Sequence, residues 1–166
     1  QSGINFKASF INQCLSTLKH QNVVYIDTDM RIMQYPALFD MDVDFMAYNW
    51  YSELRDIKTV SRETLSSWYT QYIMTVSGGI MFFSQSSQSK MLAHLWAKEC
   101  KKYPGKADDR ILSTIFNKYN AMRWLRTFWL PLEYLYLNDK YNWSDVVVPN
   151  IEDFKFMKNN MMNNNI

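Results

Sequence analysis

Three aspartate pairs with Asp-x-Asp spacing are the residues of this 166-residue chain best suited to binding a cation. They are Asp27 with Asp29, Asp40 with Asp42, and Asp42 with Asp44. Two neighbouring carboxylates repel each other when both are ionised, so a bound cation stabilises them. Oxygen donors without nearby His or Cys suit Mg²⁺ or Mn²⁺. Because a lone Asp-x-Asp is common by chance, the surrounding residues must distinguish the three pairs.

Only the first pair directly follows a run that predicts a strand. Residues 23–26 read VVYI, which is typical of a strand buried on both faces, and Asp27 and Asp29 come next. Open parallel sheets bind ligands at the carboxyl ends of their strands. We therefore predict a metal and diphosphate site at Asp27 and Asp29, with strand-end polar residues as the alternative. The other two pairs are predicted to be charges on a solvated loop.

The elements around this site predict an α/β protein. A helix before the strand carries apolar residues at helical spacing, namely Phe6, Phe10, Ile11, Cys14, Leu15 and Leu18. This helix and the following strand read as half of a parallel crossover unit. Residues 45–48, 72–76 and 80–83 read as strands, with a bend at Ser77-Gly78-Gly79. Residues 86–102 and a segment opening at Asp108-Asp109 read as helices, and residues 124–137 and 146–148 as extended pieces. We predict a mixed, mainly parallel sheet flanked by helices.

Composition excludes several classes of protein. With 18 basic and 16 acidic residues the net charge is +2, too little for a nucleic-acid-binding face. Two cysteines are too few for a disulfide framework, which favours a reducing compartment such as the cytoplasm. No run predicts a membrane span or a secretory signal. We predict one domain over residues 1–150 and an extension over 151–166 with a disordered, Asn-rich tail.

Several motifs in order resemble nucleotide-diphospho-sugar glycosyltransferases of the GT-A fold. They are VVYIDTD, DVDFMAY, SGGIMFF, DDRILSTIFN and WLPLEYLYL, all within about residues 5–149. The resemblance implies transfer of a sugar from a nucleoside-diphosphate sugar, most simply a UDP-sugar, to a hydroxyl of a glycan or glycoprotein. It also implies Mn²⁺ or Mg²⁺ as the cofactor that bridges the two donor phosphates.

The resemblance gives roles to the residues of the first strand end and the first helix. Asp29 would be the direct metal ligand, and Asp27 would face the ribose and the metal. Thr28, between them, would belong to the same cofactor-binding segment. Lys7 resembles a basic residue near the donor phosphates, with solvated helix surface as the alternative.

Two further segments match the family's substrate cleft. Ser77, Gly78 and Gly79 match the block that lines the sugar and acceptor cleft, with a simple β-bend as the alternative. Asp108 and Asp109 match an acidic pair near the donor sugar, which binds sugar hydroxyls or deprotonates the acceptor hydroxyl. Helix capping is the alternative for this pair. We assign Asp109 as the catalytic member and Asp108 as the cap, with the reverse order as the alternative.

Two features depart from the family pattern. A further metal ligand, often His, is expected late in the domain, but His20 and His94 both lie on helical segments. Asn150 stands where that ligand is expected. The strand and loop that hold the nucleoside base have no counterpart before Gln1, so we predict an amino-terminally incomplete domain. Glu133 is a candidate acceptor contact.

Two alternative functions follow from the same residues. In phosphatases of the haloacid-dehalogenase type an apolar strand also ends in Asp-x-Asp, and these enzymes use Mg²⁺. That family prefers Thr or Val two places after the second Asp, where this chain has Arg31. A non-catalytic carbohydrate-binding remnant is the second alternative, because the front segment and the late His are missing from the pattern.

Overall fold

The computed structural model describes residues 6–28, 30–32, 34–49, 75–131, 134, 136–138 and 143–146. The helices are α1 (Phe6–Thr17), α2 (Ser87–Lys102) and α3 (Asp108–Lys118), with short 3-10 helices at Ala37–Asp40 and Ala121–Arg123. The strands are β1 (Val23–Ile26), β2 (Arg31–Ile32), β3 (Phe45–Asn49), β4 (Val76–Phe83), β5 (Thr127–Leu130), β6 (Tyr136–Asn138) and β7 (Trp143–Val146). No helix in these described ranges is long and apolar enough to cross a membrane.

The strands form two mixed sheets, so the chain is a mixed α/β protein as predicted. The larger sheet has the order β1-β4-β3-β5, and the smaller one has the order β2-β7-β6. In the larger sheet β4 lies between β1 and β3 and runs antiparallel to both, whereas β3 and β5 are parallel. The prediction of a mainly parallel sheet is therefore not confirmed, because the central position of β4 makes most pairings of this sheet antiparallel.

The segment Ser77-Gly78-Gly79 does not separate two strands as predicted. It lies inside β4, which is continuous from Val76 to Phe83. The irregularity is in the pairing instead, because the register between β3 and β4 shifts between Ala47 and Asn49, opposite this segment. Neither Gly78 nor Gly79 has a positive φ. The glycines are thus part of an extended strand, and their small size leaves room for side chains that pack on this strand.

The central strands are buried on both faces by two apolar clusters. Phe45, Ala47, Met81 and Phe83 lie in the cluster that α1, α2 and α3 cover. The alternate residues of β3 and β4 lie in a second cluster on the opposite face, together with Leu38, Leu130 and Tyr134. Alternate side chains of a strand point to opposite faces, so both faces of β3 and β4 need cover. The helices therefore form one layer over the sheet.

Two predictions about the first helix and strand need correction. The helix forms as predicted, but its buried residues are Ala8, Ile11 and Leu15, whereas Phe6 and Phe10 are exposed. This happens because α1 packs against both α2 and β1 through the narrower stripe of smaller residues. The strand β1 is not buried on both faces, since Val24 is 41% exposed. Among the described strands β1 pairs with β4 alone, so it is an edge strand.

The second and third Asp-x-Asp pairs have a structural role that the sequence did not reveal. Asp44 is 3% exposed, and its carboxylate accepts hydrogen bonds from the Arg126 backbone N–H and guanidinium. The same guanidinium donates two hydrogen bonds of 3.1 Å to Asp42, whose side chain is almost fully exposed. The prediction of solvated loop charge is thus wrong for Asp44. Its charge ties the start of β3 to the start of β5.

Candidate functional site

The candidate site is centred on the ammonium group of Lys7, which contacts three separate segments of the chain. Its Nζ atom lies 3.0 Å from Asp27 Oδ1 and 3.8 Å from Asp108 Oδ2, and it donates a hydrogen bond of 2.9 Å to the Gly78 carbonyl oxygen. It also lies 4.6 Å from the centre of the Tyr25 ring. The first turn of α1, the end of β1, the middle of β4 and the start of α3 therefore meet at one point.

Asp27 is held at the end of β1 by main-chain and side-chain contacts. Its backbone N–H donates to the Gly79 carbonyl oxygen at 2.9 Å, which extends the pairing of β1 with β4 by one residue. The Tyr25 hydroxyl donates to Asp27 Oδ1 at 2.8 Å. Tyr25 and Asp27 are two residues apart on an extended chain, so their side chains share one face. The Asp27 side chain is 36% exposed and remains open to a ligand.

Gly78 is the place where β4 comes closest to the charged groups. A Cβ atom added to Gly78 would lie 3.2 Å from Lys7 Nζ and 3.4 Å from the Asp109 Cβ atom. It would also lie 3.8 Å from Asp108 Oδ1. A side chain at this position would fill the space in which the ammonium and the two acidic residues approach the strand. Glycine therefore allows the close approach of these groups, which a larger residue would push back by a few tenths of an ångström, and it is not needed for a bend.

The acidic pair occupies the first turn of α3, where two hydrogen bonds fix its backbone. The Trp96 indole N–H donates to the Asp108 carbonyl oxygen at 2.8 Å. The Ser113 hydroxyl donates to the Asp109 carbonyl oxygen at 2.8 Å and accepts the Val76 backbone N–H at 2.9 Å. The bond from Trp96 joins α3 to α2, the bond from Ser113 to Asp109 lies within α3, and the bond from Val76 to Ser113 joins α3 to the first residue of β4. The acidic pair is thus locked against the strand that carries Gly78.

The capping arrangement differs from the prediction. The residue before the helix is Ala107, which makes no side-chain capping hydrogen bond, and both acids lie inside the first turn. Asp108 Oδ1 accepts the Asp109 backbone N–H at 2.8 Å, and Asp109 Oδ1 accepts the Arg110 backbone N–H at 2.6 Å. Both carboxylates therefore satisfy amides that a helix start leaves free. The assignment of Asp108 alone as the cap is wrong.

Burial changes the ionisation of Asp108. The Asp108 side chain is 14% exposed, and this burial raises the pKa of its carboxyl group above the usual value, although the nearby Lys7 ammonium partly lowers it. The negative charges of Asp109 and Asp27 also raise it. A carboxylate with a raised pKa is a better proton acceptor.

The donor set at this point suits a hard divalent cation. The Asp27 and Asp108 carboxylates and the Gly78 carbonyl all face one ammonium group, and such oxygens are the ligands that Mg²⁺ and Mn²⁺ prefer. Within the part of the chain that is described, no three His, Cys, Asp or Glu side chains come together as a metal-binding group. Asp29 lies outside the described residues, so the predicted ligand pair of Asp27 and Asp29 stays a prediction.

The structure brings together most of the predicted site residues that it describes. Lys7, Asp27, Gly78 and Asp108 surround one point, and the Asp109 Cβ atom lies near Gly78. The other members of the predicted set differ in their environment. Ser77 is buried and its hydroxyl accepts the Gly79 backbone N–H at 3.2 Å, whereas Thr28 is exposed in a turn. Glu133 and Asn150 are among the residues outside the description.

Three residues that hold the site together, Tyr25, Trp96 and Ser113, were not predicted from the sequence. The i, i+2 spacing of Tyr25 and Asp27 on a strand was the available signal for the tyrosine, because it puts both side chains on one face. Trp96 and Ser113 act through hydrogen bonds between elements, and no local pattern indicates such bonds. Comparison of the chain with protein-family models, with curated proteins and with solved structures finds no match.

Proposed function

We propose that this protein is a metal-dependent glycosyltransferase with a GT-A-like fold. It moves a sugar from a nucleoside-diphosphate sugar, most simply a UDP-sugar, to a hydroxyl of a glycan or glycoprotein. The observation that carries this proposal is the meeting of Lys7, Asp27, Gly78 and Asp108 at one point. Lys7 and Gly78 are 71 residues apart in the sequence. The resemblance implies a place near the donor phosphates for Lys7, near the ribose and metal for Asp27, in the sugar and acceptor cleft for Gly78, and near the donor sugar for the pair Asp108 and Asp109.

The charges of the site fit a diphosphate bound together with a cation. The Asp27 carboxylate and the predicted ligand Asp29 supply negative charge for the cation, and Lys7 supplies a positive charge next to Asp27. A bound divalent ion would neutralise the charge that grows on the leaving nucleoside diphosphate. Lys7 would donate hydrogen bonds to phosphate oxygens once its ammonium turns from its present oxygen partners toward the diphosphate, because an ammonium has three donors.

The chain's own residues then account for sugar positioning and proton transfer. Gly78 lets the Lys7 ammonium and the acidic pair lie close to the backbone of β4. Asp108 is placed to accept a hydrogen bond from a sugar hydroxyl or the proton of the acceptor hydroxyl. As the acceptor oxygen bonds to the anomeric carbon, the bond from that carbon to the diphosphate oxygen breaks, and the diphosphate leaves with the bonding electrons. Asp109, packed behind Gly78, keeps the start of α3 in place.

Hydrolysis of UDP-sugars with and without Mn²⁺ tests this proposal. A panel of UDP- and GDP-sugars is incubated with the protein, and the products are separated by anion-exchange chromatography. We expect free sugar and nucleoside diphosphate from at least one donor, only when Mn²⁺ or Mg²⁺ is present. Release of inorganic phosphate from phosphate monoesters without donor cleavage would indicate the phosphatase alternative. Sugar binding without any turnover would indicate the carbohydrate-binding alternative.

A further inference from the structure

We infer that Lys7 is a resident counter-cation of the donor site, which opposes metal binding until a diphosphate arrives. The inference rests on the proposed function and adds an order of binding to it. In the absence of donor, the Lys7 ammonium occupies the acidic groups that would otherwise attract a divalent ion. When the diphosphate is present, Lys7 transfers its hydrogen bonds to phosphate oxygens, and Asp27 becomes free for the metal.

The contacts of Lys7 show how completely it engages these groups. Its side chain is 17% exposed, and its Nζ atom lies within 4 Å of Asp27 Oδ1, Asp108 Oδ2 and the Gly78 carbonyl oxygen. The ammonium donates a hydrogen bond to the Gly78 carbonyl oxygen and forms ion pairs with the two carboxylates, of which Asp27 is the nearer. The Tyr25 ring, 4.6 Å away, adds a fourth favourable contact. The Lys7 ammonium thus occupies this group of oxygens in the way that a bound metal cation would.

Electrostatics then opposes a second cation at the same place. A divalent ion bound to Asp27 would meet a positive charge already within hydrogen-bonding distance of the same carboxylate, and this repulsion lowers its affinity. A diphosphate reverses the balance, because it brings negative charge that attracts both Lys7 and the metal. The site therefore favours the metal and the diphosphate together over the metal alone.

The geometry also allows Lys7 to change partner without a change of fold. Four methylene groups connect its ammonium to the first turn of α1, so the ammonium can move while the backbone stays in place. Asp27 retains its hydrogen bond from the Tyr25 hydroxyl when Lys7 leaves. None of the backbone hydrogen bonds that hold β1, β4 and α3 together depends on the lysine.

Replacement of Lys7 by Met tests the inference, because Met has similar length and no charge. Mn²⁺ binding to the protein alone is measured by the loss of the electron paramagnetic resonance signal of free Mn²⁺. We expect Lys7→Met to bind Mn²⁺ about tenfold more tightly than the parental protein in the absence of nucleotide. We expect it to bind UDP about tenfold more weakly in the presence of saturating Mn²⁺, measured by calorimetry.

The control is Lys90→Met, which removes the same charge from an exposed position on α2. It is expected to leave both affinities at the parental values. Lys7→Gln keeps a hydrogen-bond donor for the Gly78 carbonyl without the charge, and it replaces Lys7→Met if that variant does not fold. A general loss of structure would weaken both ligands, whereas the inference requires one affinity to rise and the other to fall.

Two outcomes would overturn the inference. One is an Mn²⁺ affinity of the folded Lys7 variants that equals or falls below the parental value. The other is the absence of Mn²⁺ binding by the parental protein and both variants at millimolar concentration. In either case the hydrolysis of UDP-sugars by the parental protein still judges the proposed function, because that assay supplies donor and metal together.

Discussion

At the residue scale, the two oxygens of Asp27 have different surroundings. Oδ1 accepts a hydrogen bond from the Tyr25 hydroxyl and forms an ion pair with Lys7. No described residue donates a hydrogen bond to Oδ2. As far as the described residues go, this oxygen is therefore available to a ligand. The Asp27 carboxylate thus contacts neighbouring residues through Oδ1 and leaves Oδ2 for a ligand. Asp42, in the next Asp-x-Asp pairs, is instead bound through both oxygens to Arg126.

Asp27→Asn is expected to reduce metal-dependent donor hydrolysis on the order of 100-fold while leaving the fold intact. The amide keeps the volume and the contact with Tyr25 but removes the charge that a cation requires. Asp29→Asn is expected to have the same effect. The control is Asp42→Asn, which alters a chemically similar aspartate away from Lys7. Equal activity of the Asp27 variant and the control at saturating Mn²⁺ would reject the metal role.

Asp108→Asn is expected to lower the turnover number more than Asp109→Asn. The reason is that the Asp108 carboxylate faces Lys7, whereas the Asp109 carboxylate accepts a hydrogen bond from the Arg110 backbone N–H. This order reverses the one assigned from the sequence. Transfer rates and melting temperatures of both variants decide between the two orders. If both variants transfer sugar at the parental rate, the acidic pair is structural.

At the scale of elements, the position of α3 determines whether the acidic pair reaches the site. Local sequence predicted that α2 and α3 exist, because both segments carry apolar residues at helical spacing. In the structure Ser86 also caps α2 by accepting the Ser89 backbone N–H at 3.1 Å. Local sequence did not predict the continuity of β4 or its antiparallel pairing, because Gly-Gly is a turn signal and strand direction depends on partners distant in the chain. The bond between Ser113 and Val76 is equally non-local.

Ser113→Ala is expected to destabilise the folded protein by about 1–3 kcal/mol, because it leaves the buried Val76 backbone N–H without a partner. The matched control is Thr114→Ala on the same helix, since the exposed Thr114 hydroxyl donates only to the Arg110 carbonyl oxygen. Urea unfolding of both variants measures the difference. A Ser113→Ala variant as stable as the Thr114→Ala control would contradict a stabilising role for the hydrogen bond between Ser113 on α3 and Val76 on β4.

At the scale of the whole molecule, an ion pair between residues far apart in the sequence joins two strands of the larger sheet. We expect this ion pair to determine how the stability of the protein responds to acid. Asp44 and Arg126 are 82 residues apart in the sequence and join β3 to β5. Sequence analysis predicted the α/β class and the residues of the site because apolar runs and charged strand ends are local features. It could not predict this ion pair, since the acidic triplet gives no sign of where a partner lies in the chain.

The free energy of unfolding is expected to fall as the pH drops below about 4. Burial opposes the charge of Asp44, but the hydrogen bonds from Arg126 and Ser86 outweigh it and hold the pKa of Asp44 below its usual value. The unfolded chain therefore takes up a proton at a higher pH than the folded chain does. The stability that the ionised carboxylate provides above the unfolded pKa is lost as the pH falls through the lowered folded pKa.

Urea unfolding of the parental protein and Asp44→Asn between about pH 2 and 6 measures this contribution. The variant is expected to be less stable near pH 6 and to lose less stability towards pH 2, because it lacks the titrating group. Asp42→Asn serves as the control, since that carboxylate is exposed. The same loss of stability with acid in Asp44→Asn and in the parental protein would exclude Asp44 as a source of acid sensitivity.

The central claim is that a metal and a diphosphate bind where Lys7, Asp27, Gly78 and Asp108 meet. Paramagnetic broadening of backbone amide signals by Mn²⁺, in the presence of UDP, tests it most directly. We predict selective broadening of the signals of Asp27, Gly78 and Asp108, with Lys90 on the exposed face of α2 much less affected, and loss of the effect in Asp27→Asn. Broadening centred elsewhere, or unchanged in that variant, would contradict the claim.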